Sequence, residues 1–285
     1  MTPTCSAWHD EAVTEQAERY DRIAAGYAKW WAPVLAPQAT ALLDRLDGAV
    51  ASGARRLIDI GTGTATLAIA AIRRWPEVEV VGIDASRGMT EAASAEADRL
   101  LPRPDRARFD VRVAFADQLP FADGYFDAAM SSFVFQLVPN RARAIREAHR
   151  VLRPGGTLAY VSWLADGRAF RPDIEFDDVL DEIGVGAREP DDRPGDIPDV
   201  EGAAAQLRRA GFRNIEAERG ELEHQFEVEG YVRFITEFDE EDLVRSLEPA
   251  QRERVVRRLR ARLEALPASN LVLRLPVVAA SGERG

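Results

Sequence analysis

Cysteine is almost missing: Cys5 is the only one in 285 residues, so no intramolecular disulfide can form and a cysteine-rich metal cluster is excluded. Lysine is as scarce. Lys29 stands alone among 37 basic residues, which removes a Gly-Lys-Ser/Thr phosphate loop and leaves a Schiff-base mechanism a single candidate. No two of the three histidines, His9, His149 and His224, stand at metal-ligand spacing. No metal is expected. Nowhere do eighteen uncharged apolar residues run together, and Met1 to Glu15 carries acids without a long apolar centre, so neither a membrane span nor a secretory leader is expected. Basic charge is outweighed by acid, for a formal net charge of −11. That balance argues against nucleic acid, whose nonspecific affinity comes from counterions displaced by a basic surface. A small-molecule partner and a reducing, cytoplasmic setting are the expectation, with a homodimer left open.

What is present is a rhythm of apolar segments. Glu11 to Leu46 has helical periodicity interrupted by Gly26, Pro33 and Pro37, which predicts two or three short helices forming an N-terminal lid over residues 1–45. Strands are expected at Arg56–Ile60, Val78–Asp84, Val111–Ala116, Phe126–Phe133 and Thr157–Trp163. They alternate with helices at Ala65–Arg74, Met89–Leu100 and Arg141–Leu152, the last stopped by Pro154-Gly155-Gly156. Such alternation implies a parallel sheet covered on both faces, here the core of residues 46–165. Residues 166–285 read as completing the same domain. They begin with a polar insertion, Asp166 to Asp199, holding a short helix near Ile174–Ile183. A helix at Val200–Ala210, a strand at Asn214–Phe226, a largely helical Glu229–Arg262 and a last strand at Leu271–Ala280, at or next to an edge, follow.

Leu57-Ile58-Asp59-Ile60-Gly61-Thr62-Gly63 is the most informative segment. Glycines at a strand-to-helix turn let a ligand approach the backbone, and the helix behind presents unpaired N–H groups. Alone, such a turn can also be a tight connection with no ligand. A dinucleotide fingerprint would place a third glycine where Thr66 stands, which weakens a pyrophosphate reading and a nicotinamide-dependent oxidoreductase with it. Asp84 closes the second strand, 21 residues beyond Gly63, where a carboxylate can take both hydroxyls of a ribose or cap the next helix. Asp117 ends the third.

In combination these segments resemble the class I S-adenosylmethionine-dependent methyltransferases, in particular the group with the ubiquinone/menaquinone C-methyltransferases and many small-molecule methyltransferases. The resemblance runs from about Tyr20 to Trp163 and more loosely beyond. It rests on Asp59-x-Gly61-x-Gly63, Gly82-Ile83-Asp84-x-Ser86-x-x-Met89, Ala116-Asp117-x-x-x-Pro120-Phe121, Phe126-Asp127 and Glu147-x-x-Arg150-Val151-Leu152-Arg153-Pro154-Gly155-Gly156. It implies a Rossmann-like, doubly wound, mostly parallel seven-stranded sheet with an N-terminal helical lid and helical insertions. It also implies S-adenosylmethionine as cofactor and a small-molecule methyl acceptor, apolar or aromatic in character.

By the same resemblance, Asp59 with Gly61, Thr62 and Gly63 would hold the methionine part. Asp84 and Ala85 would lie at the ribose and Met89 against the adenine, with Ala116, Asp117 and the Gln118 amide at its edge. Tyr20 and Tyr27 fit a Tyr-Asp-x-x-Ala-x-x-Tyr pattern that caps the cofactor, and Ser132 would lie between cofactor and acceptor. Ala65 replaces a usual third glycine, and Gln136-Leu137 stands where relatives carry histidine.

Methyl transfer from a sulfonium is an in-line displacement, so alignment and exclusion of water matter most and a general base is optional. His149 lies mid-helix, His9 in the leader, and His224 in Leu222-Glu223-His224-Gln225-Phe226 near the acceptor side of the family's topology; none is assigned as a base. The acidic run Glu237 to Asp242 reads as a solvated helix start. Trp30, Trp31, Phe133, Phe135 and Trp163 are candidates for an apolar acceptor pocket or for core. A member that binds the cofactor without transferring methyl is the remaining alternative.

Overall fold

The computed structural model describes residues 5–165, 169–186 and 195–285, with side chains from residue 16 onward. The chain forms two compact units. The first comprises residues 1–165, 193–220 and 276–285, and the second residues 166–192 and 221–275.

The first unit is built on a seven-stranded sheet. In chain order the strands are β1 (Arg56–Ile60), β2 (Glu79–Asp84), β3 (Phe109–Val113), β4 (Phe126–Ser132), β5 (Leu152–Trp163), β6 (Phe212–Gln225) and β7 (Val272–Arg284). Across the sheet they run β3-β2-β1-β4-β5-β7-β6. The pairs from β3 through β5 are parallel and β7 runs antiparallel to β5. Leu57, Ile58 and Ile60 are fully buried on both faces of β1, as a central parallel strand requires. Each contributes about 1.5–3 kcal/mol by leaving water. Asp59, equally buried in the middle of that run, is the exception that asks for a reason.

The helices before and between these strands are α1 (Cys5–Gly26), α2 (Ala32–Ala41), α3 (Asp47–Ala51), α4 (Thr66–Arg74), α5 (Arg87–Leu100), α6 (Arg103–Arg106) and α7 (Arg141–Val151). The first and second are joined by a π-helical turn, Tyr27–Trp31. The leader is therefore one nearly continuous helical run rather than separate short helices. Gly26 keeps ordinary helical angles, and Pro33 falls in the first turn of α2, where no N–H is needed.

Strand boundaries also differ from expectation: β6 starts at Phe212 and β7 runs on to Arg284, and the shifts in β3 and β5 have a clear cause. β3 starts and ends earlier because its register with β2 pairs Val80 with Phe109 and Asp84 with Val113; β2 stops at Asp84, so its partner stops too. β5 begins at Leu152, ahead of the Pro-Gly-Gly sequence, because Leu152 already pairs with Phe126 before the register shifts. Gly156 tolerates the shift. A Cβ there would meet the Asp127 carbonyl at 2.9 Å.

Next come α8 (Arg171–Glu182), α9 (Val200–Ala210), α10 (Val228–Phe234), α11 (Glu241–Ser246) and α12 (Pro249–Glu264), with a second π turn at Ile235–Asp239. The expected helix near Ile174–Ile183 is α8, while the middle of the insertion, residues 187–194, lies outside the described residues. The second unit packs Phe170, Phe226, Tyr231 and Phe234 in mutual ring contact. Its buried Glu175 takes ion pairs from Arg171 and Arg262.

Candidate functional site

The strand order reverses between β1 and β4, and in open α/β sheets the crevice at the carboxyl ends of such strands is where ligands bind. A cavity of about 780 Å³ opens there, and a second of about 370 Å³ adjoins it, both lined in part by Tyr27, Gly61, Gly63 and Ser132.

The turn after β1 shapes the floor. Gly61 (φ +72°) and Gly63 (φ +53°) both occupy the left-handed region, which costs other residues about 1–2 kcal/mol. Their surroundings differ. A Cβ on Gly61 would fall 2.2 Å from Val134 Cγ2, whereas on Gly63 it would meet only Tyr27 Cε1, at 3.9 Å. Packing thus fixes Gly61, and Gly63 presents bare backbone to open space. Ala65 is also left-handed (φ +63°) and its N–H donates to the Thr62 carbonyl at 2.8 Å, so the turn closes at the expense of strain.

Asp59 lines the smaller cavity. Its Oδ2 accepts from Thr62 Oγ1 at 2.8 Å, while Oδ1 is buried without a hydrogen-bond partner. Burial above all, with the Asp84 charge adding and the Thr62 hydroxyl opposing, pushes the carboxyl up to about 7. Asp84, at the tip of β2, accepts from the Gly63 N–H at 2.9 Å and the Ser86 N–H at 3.0 Å. Loss of water raises its pKa as well. It does not cap the next helix. Ser86 does, its Oγ accepting from the Met89 N–H at 3.0 Å.

Ala85, Met89, Ala116 and Asp117 all line the larger cavity, with Asp84. Gln118 does not: it is exposed and its N–H is committed to the Phe115 carbonyl at 3.1 Å. The early end of β3 is the cause, since the chain turns at Phe115–Gln118 and carries the glutamine outward. Ser132, at the end of β4, reaches both cavities and Thr62 the smaller one. The larger cavity's wall continues through Phe133, Val134, Leu137, Val138 and Pro139. From the leader, Tyr20 and Tyr27 meet edge to face at 6.1 Å and both line the larger cavity. Tyr27 falls in the π turn, a feature concentrated at functional sites.

A profile described as "Methyltransferase domain" matches residues 58–160. The ubiquinone/menaquinone biosynthesis C-methyltransferase UbiE of Dinoroseobacter shibae is 32% identical over 182 residues, 60% of this chain and 71% of the relative. The chain belongs to the class I S-adenosylmethionine-dependent methyltransferases. A malonyl-[acyl-carrier protein] O-methyltransferase of Geobacter sulfurreducens is 31% identical over 63% of this chain and 64% of its own length. Other curated relatives are matched over about two fifths to a half of their length. The solved YcgJ protein of Bacillus subtilis shares the fold at 19% identity, with a TM-score of 0.54 over 87% of this chain and 98% of that one.

In this methyltransferase the aromatic candidates part ways. Phe133 lines the larger cavity and packs at a tilt on Trp163, ring centroids 4.2 Å apart, with Trp31 6.4 Å beyond. Phe135 is core, edge-on to Tyr160. Gln136 is buried and accepts from Ser162 Oγ at 2.7 Å, a packing role. His149 lies on α7 edge-on to Phe212, and burial lowers its pKa. His224 packs on Phe226 in the second unit and is lowered likewise. The His9 side chain lies outside the described residues. Glu237 and Glu241 of the acidic run pair with Arg233 and Arg245 one turn away. Among the described residues no three acidic, histidine or cysteine side chains form a metal-binding group, and no helix is long and apolar enough to cross a membrane.

Sequence reasoning missed Gln16 and Ala17 of α1, Val134, Leu137, Val138 and Pro139 beyond β4, and Asp21. Gln16, Ala17, Val134, Leu137, Val138 and Pro139 line the larger cavity; Asp21 reaches it through Ser86. The signal for Asp21 was present, as the second residue of the Tyr-Asp-x-x-Ala-x-x-Tyr pattern.

Proposed function

We propose that the protein holds S-adenosylmethionine across the two joined cavities and passes its methyl group to a small apolar or aromatic acceptor. One observation carries this reading: three carboxylates, Asp59 within β1, Asp84 at the end of β2 and Asp117 in the turn four residues beyond β3 rather than at its tip, line two cavities that share Tyr27, Gly61, Gly63 and Ser132. The residues suit the cofactor. The orphaned Oδ1 of Asp59 fits an ammonium in the smaller cavity, where an isolated buried carboxylate is otherwise costly. Asp84 spends one lone pair of each oxygen on a backbone N–H, leaving others for ribose hydroxyls. Met89 and Ala116 give an apolar seat for adenine, with Asp117 at its edge.

When bound, the cofactor supplies an electrophilic methyl group on a positively charged sulfur. The chain's own part is alignment and exclusion of water. The Gly63 backbone admits close approach, Tyr20 and Tyr27 cover the leader side, and the wall from Phe133 to Pro139 suits an apolar acceptor. No side chain is assigned as a base. The lone Cys5 fits a cytoplasmic setting.

Titration calorimetry tests the reading. S-adenosylhomocysteine should bind and NADH should not; binding of NADH without the nucleoside would overturn it. Labelled cofactor supplied with metabolite fractions should then transfer label to a small molecule.

A further inference from the structure

Asp21 is on the leader helix and touches neither cavity, yet it makes the contacts that tie the leader to the cofactor site. Its Oδ1 accepts from Ser86 Oγ at 2.6 Å and from the Gly88 N–H at 2.8 Å. Ser86 in turn caps α5 through the Met89 N–H and gives its own N–H to Asp84. The carboxylate thus sits at the positive end of α5, and its hydrogen bonds with Ser86 and Gly88 hold its pKa below the ordinary carboxylate value. Fit is close as well as polar. A Cβ on Gly88 would come within 3.0 Å of the Asp21 carbonyl, so a glycine is what lets α1 lie so near. Tyr20, the preceding residue, and Tyr27 line the cavity that Asp84 enters.

We infer that Asp21 is a positioning residue: it latches α1 onto the start of α5, so that the tyrosine cover and the turn carrying Asp84 hold the nucleoside as one piece. The inference rests on the functional reading above for its ligand, but the latch itself exists without one. Substrate chemistry does not pass through Asp21. Its loss therefore acts on how long the nucleoside stays and on how firmly the leader is held.

Two measurements on the full chain separate the possibilities. In ligand-free protein, amide exchange over residues 16–27 should quicken in Asp21→Ala and stay near wild type in Asp21→Asn, whose single amide oxygen can still accept both bonds. In stopped-flow displacement of S-adenosylhomocysteine, Asp21→Ala should release it about 10-fold faster, from the loss of charge-assisted bonds. Asp21→Asn should recover most of that difference, and Glu18→Ala, on an exposed face of the same helix, should match wild type. Rescue by asparagine marks a hydrogen-bonded latch rather than general damage to the helix. Unchanged exchange in Asp21→Ala would overturn the latch whether or not the nucleoside binds. Failure of wild-type protein to bind the nucleoside, with exchange altered as stated, would overturn the functional reading and leave the latch standing.

Discussion

Stability of the ligand-free protein should depend on pH through Asp59. Its carboxyl is fully buried and pushed up to about 7, whereas in an unfolded chain a carboxyl titrates near ~3.9. Between those values the folded state keeps a proton that the unfolded state has released, so stability falls as pH rises. Integrated from pH 5 to pH 7, this one group costs about 2 kcal/mol. His149 and His224 work the other way in the same window. Both are lowered by burial, the unfolded chain binds their protons more tightly, and stability climbs as pH passes ~6.5. Asp127 and Glu147 are lowered carboxylates, and their stabilisation is complete by about pH 5.

The raw pH curve therefore mixes signs, and the informative quantity is the difference between wild type and Asp59→Asn, in which the histidines cancel. Urea unfolding at pH 5, 6 and 7 should show the wild-type advantage shrinking by about 2 kcal/mol across the range. A difference that stays flat would show that Asp59 does not titrate there. Saturating S-adenosylhomocysteine should remove the slope, because an ammonium beside Oδ1 favours the ionised carboxylate. Affinity for the nucleoside should accordingly rise as pH passes about 7.

Asp84→Ala should weaken S-adenosylhomocysteine binding by roughly 10-fold to 100-fold in calorimetry, since truncating a hydrogen-bonded charged partner costs about 1.5–3 kcal/mol. An unchanged affinity would place the ribose elsewhere. Ala65→Gly should keep the fold and nucleoside binding, whereas Ala65→Val forces a branched side chain into a left-handed, fully buried position and should cost more than about 2 kcal/mol by urea unfolding. Gly61→Ala should be destabilising for two separable reasons, the contact with Val134 and the positive φ. Adding Val134→Ala should recover only part of the loss, and full recovery would mean the backbone angle carries no strain.

The sheet's first five strands were legible because their signal is local. Leu57-Ile58-Asp59-Ile60 and Val80-Val81-Gly82-Ile83 are apolar runs ended by glycine or acid, and burial on both faces of a parallel sheet leaves that pattern little alternative. Boundaries set by a neighbour were not legible. β3 stops where β2 stops, and nothing in Val111 to Ala116 announces it; the misplacement of the Gln118 amide follows from that one error. The leader was misread because Gly26 and Pro33 usually interrupt a helix, whereas here both fit within helical turns. Asp59, Asp84, Met89, Asp117 and Tyr27, each singled out at its own position, all line the two cavities. Contacts that need two distant segments, such as Asp21 with Ser86 and Gly88, could be found only in three dimensions.

Several departures from ordinary folding rules meet at these strand ends. Ala65 and Phe133 hold left-handed backbone, Asp59 leaves a buried oxygen without a partner, and the raised carboxyls of Asp59 and Asp84 repel each other. Glu175, buried in the second unit, is by contrast answered by two arginines. Under the proposed reading, the cofactor's ammonium is the cation that answers Asp59, which the chain itself does not supply. Strain and unmet charge at one crevice are what a site looks like before its ligand arrives. It follows that saturating nucleoside should stabilise wild type more than it stabilises Asp59→Asn by a margin that widens with pH. Were the margin constant, the open oxygen of Asp59 would be a packing defect rather than the seat of a positive charge.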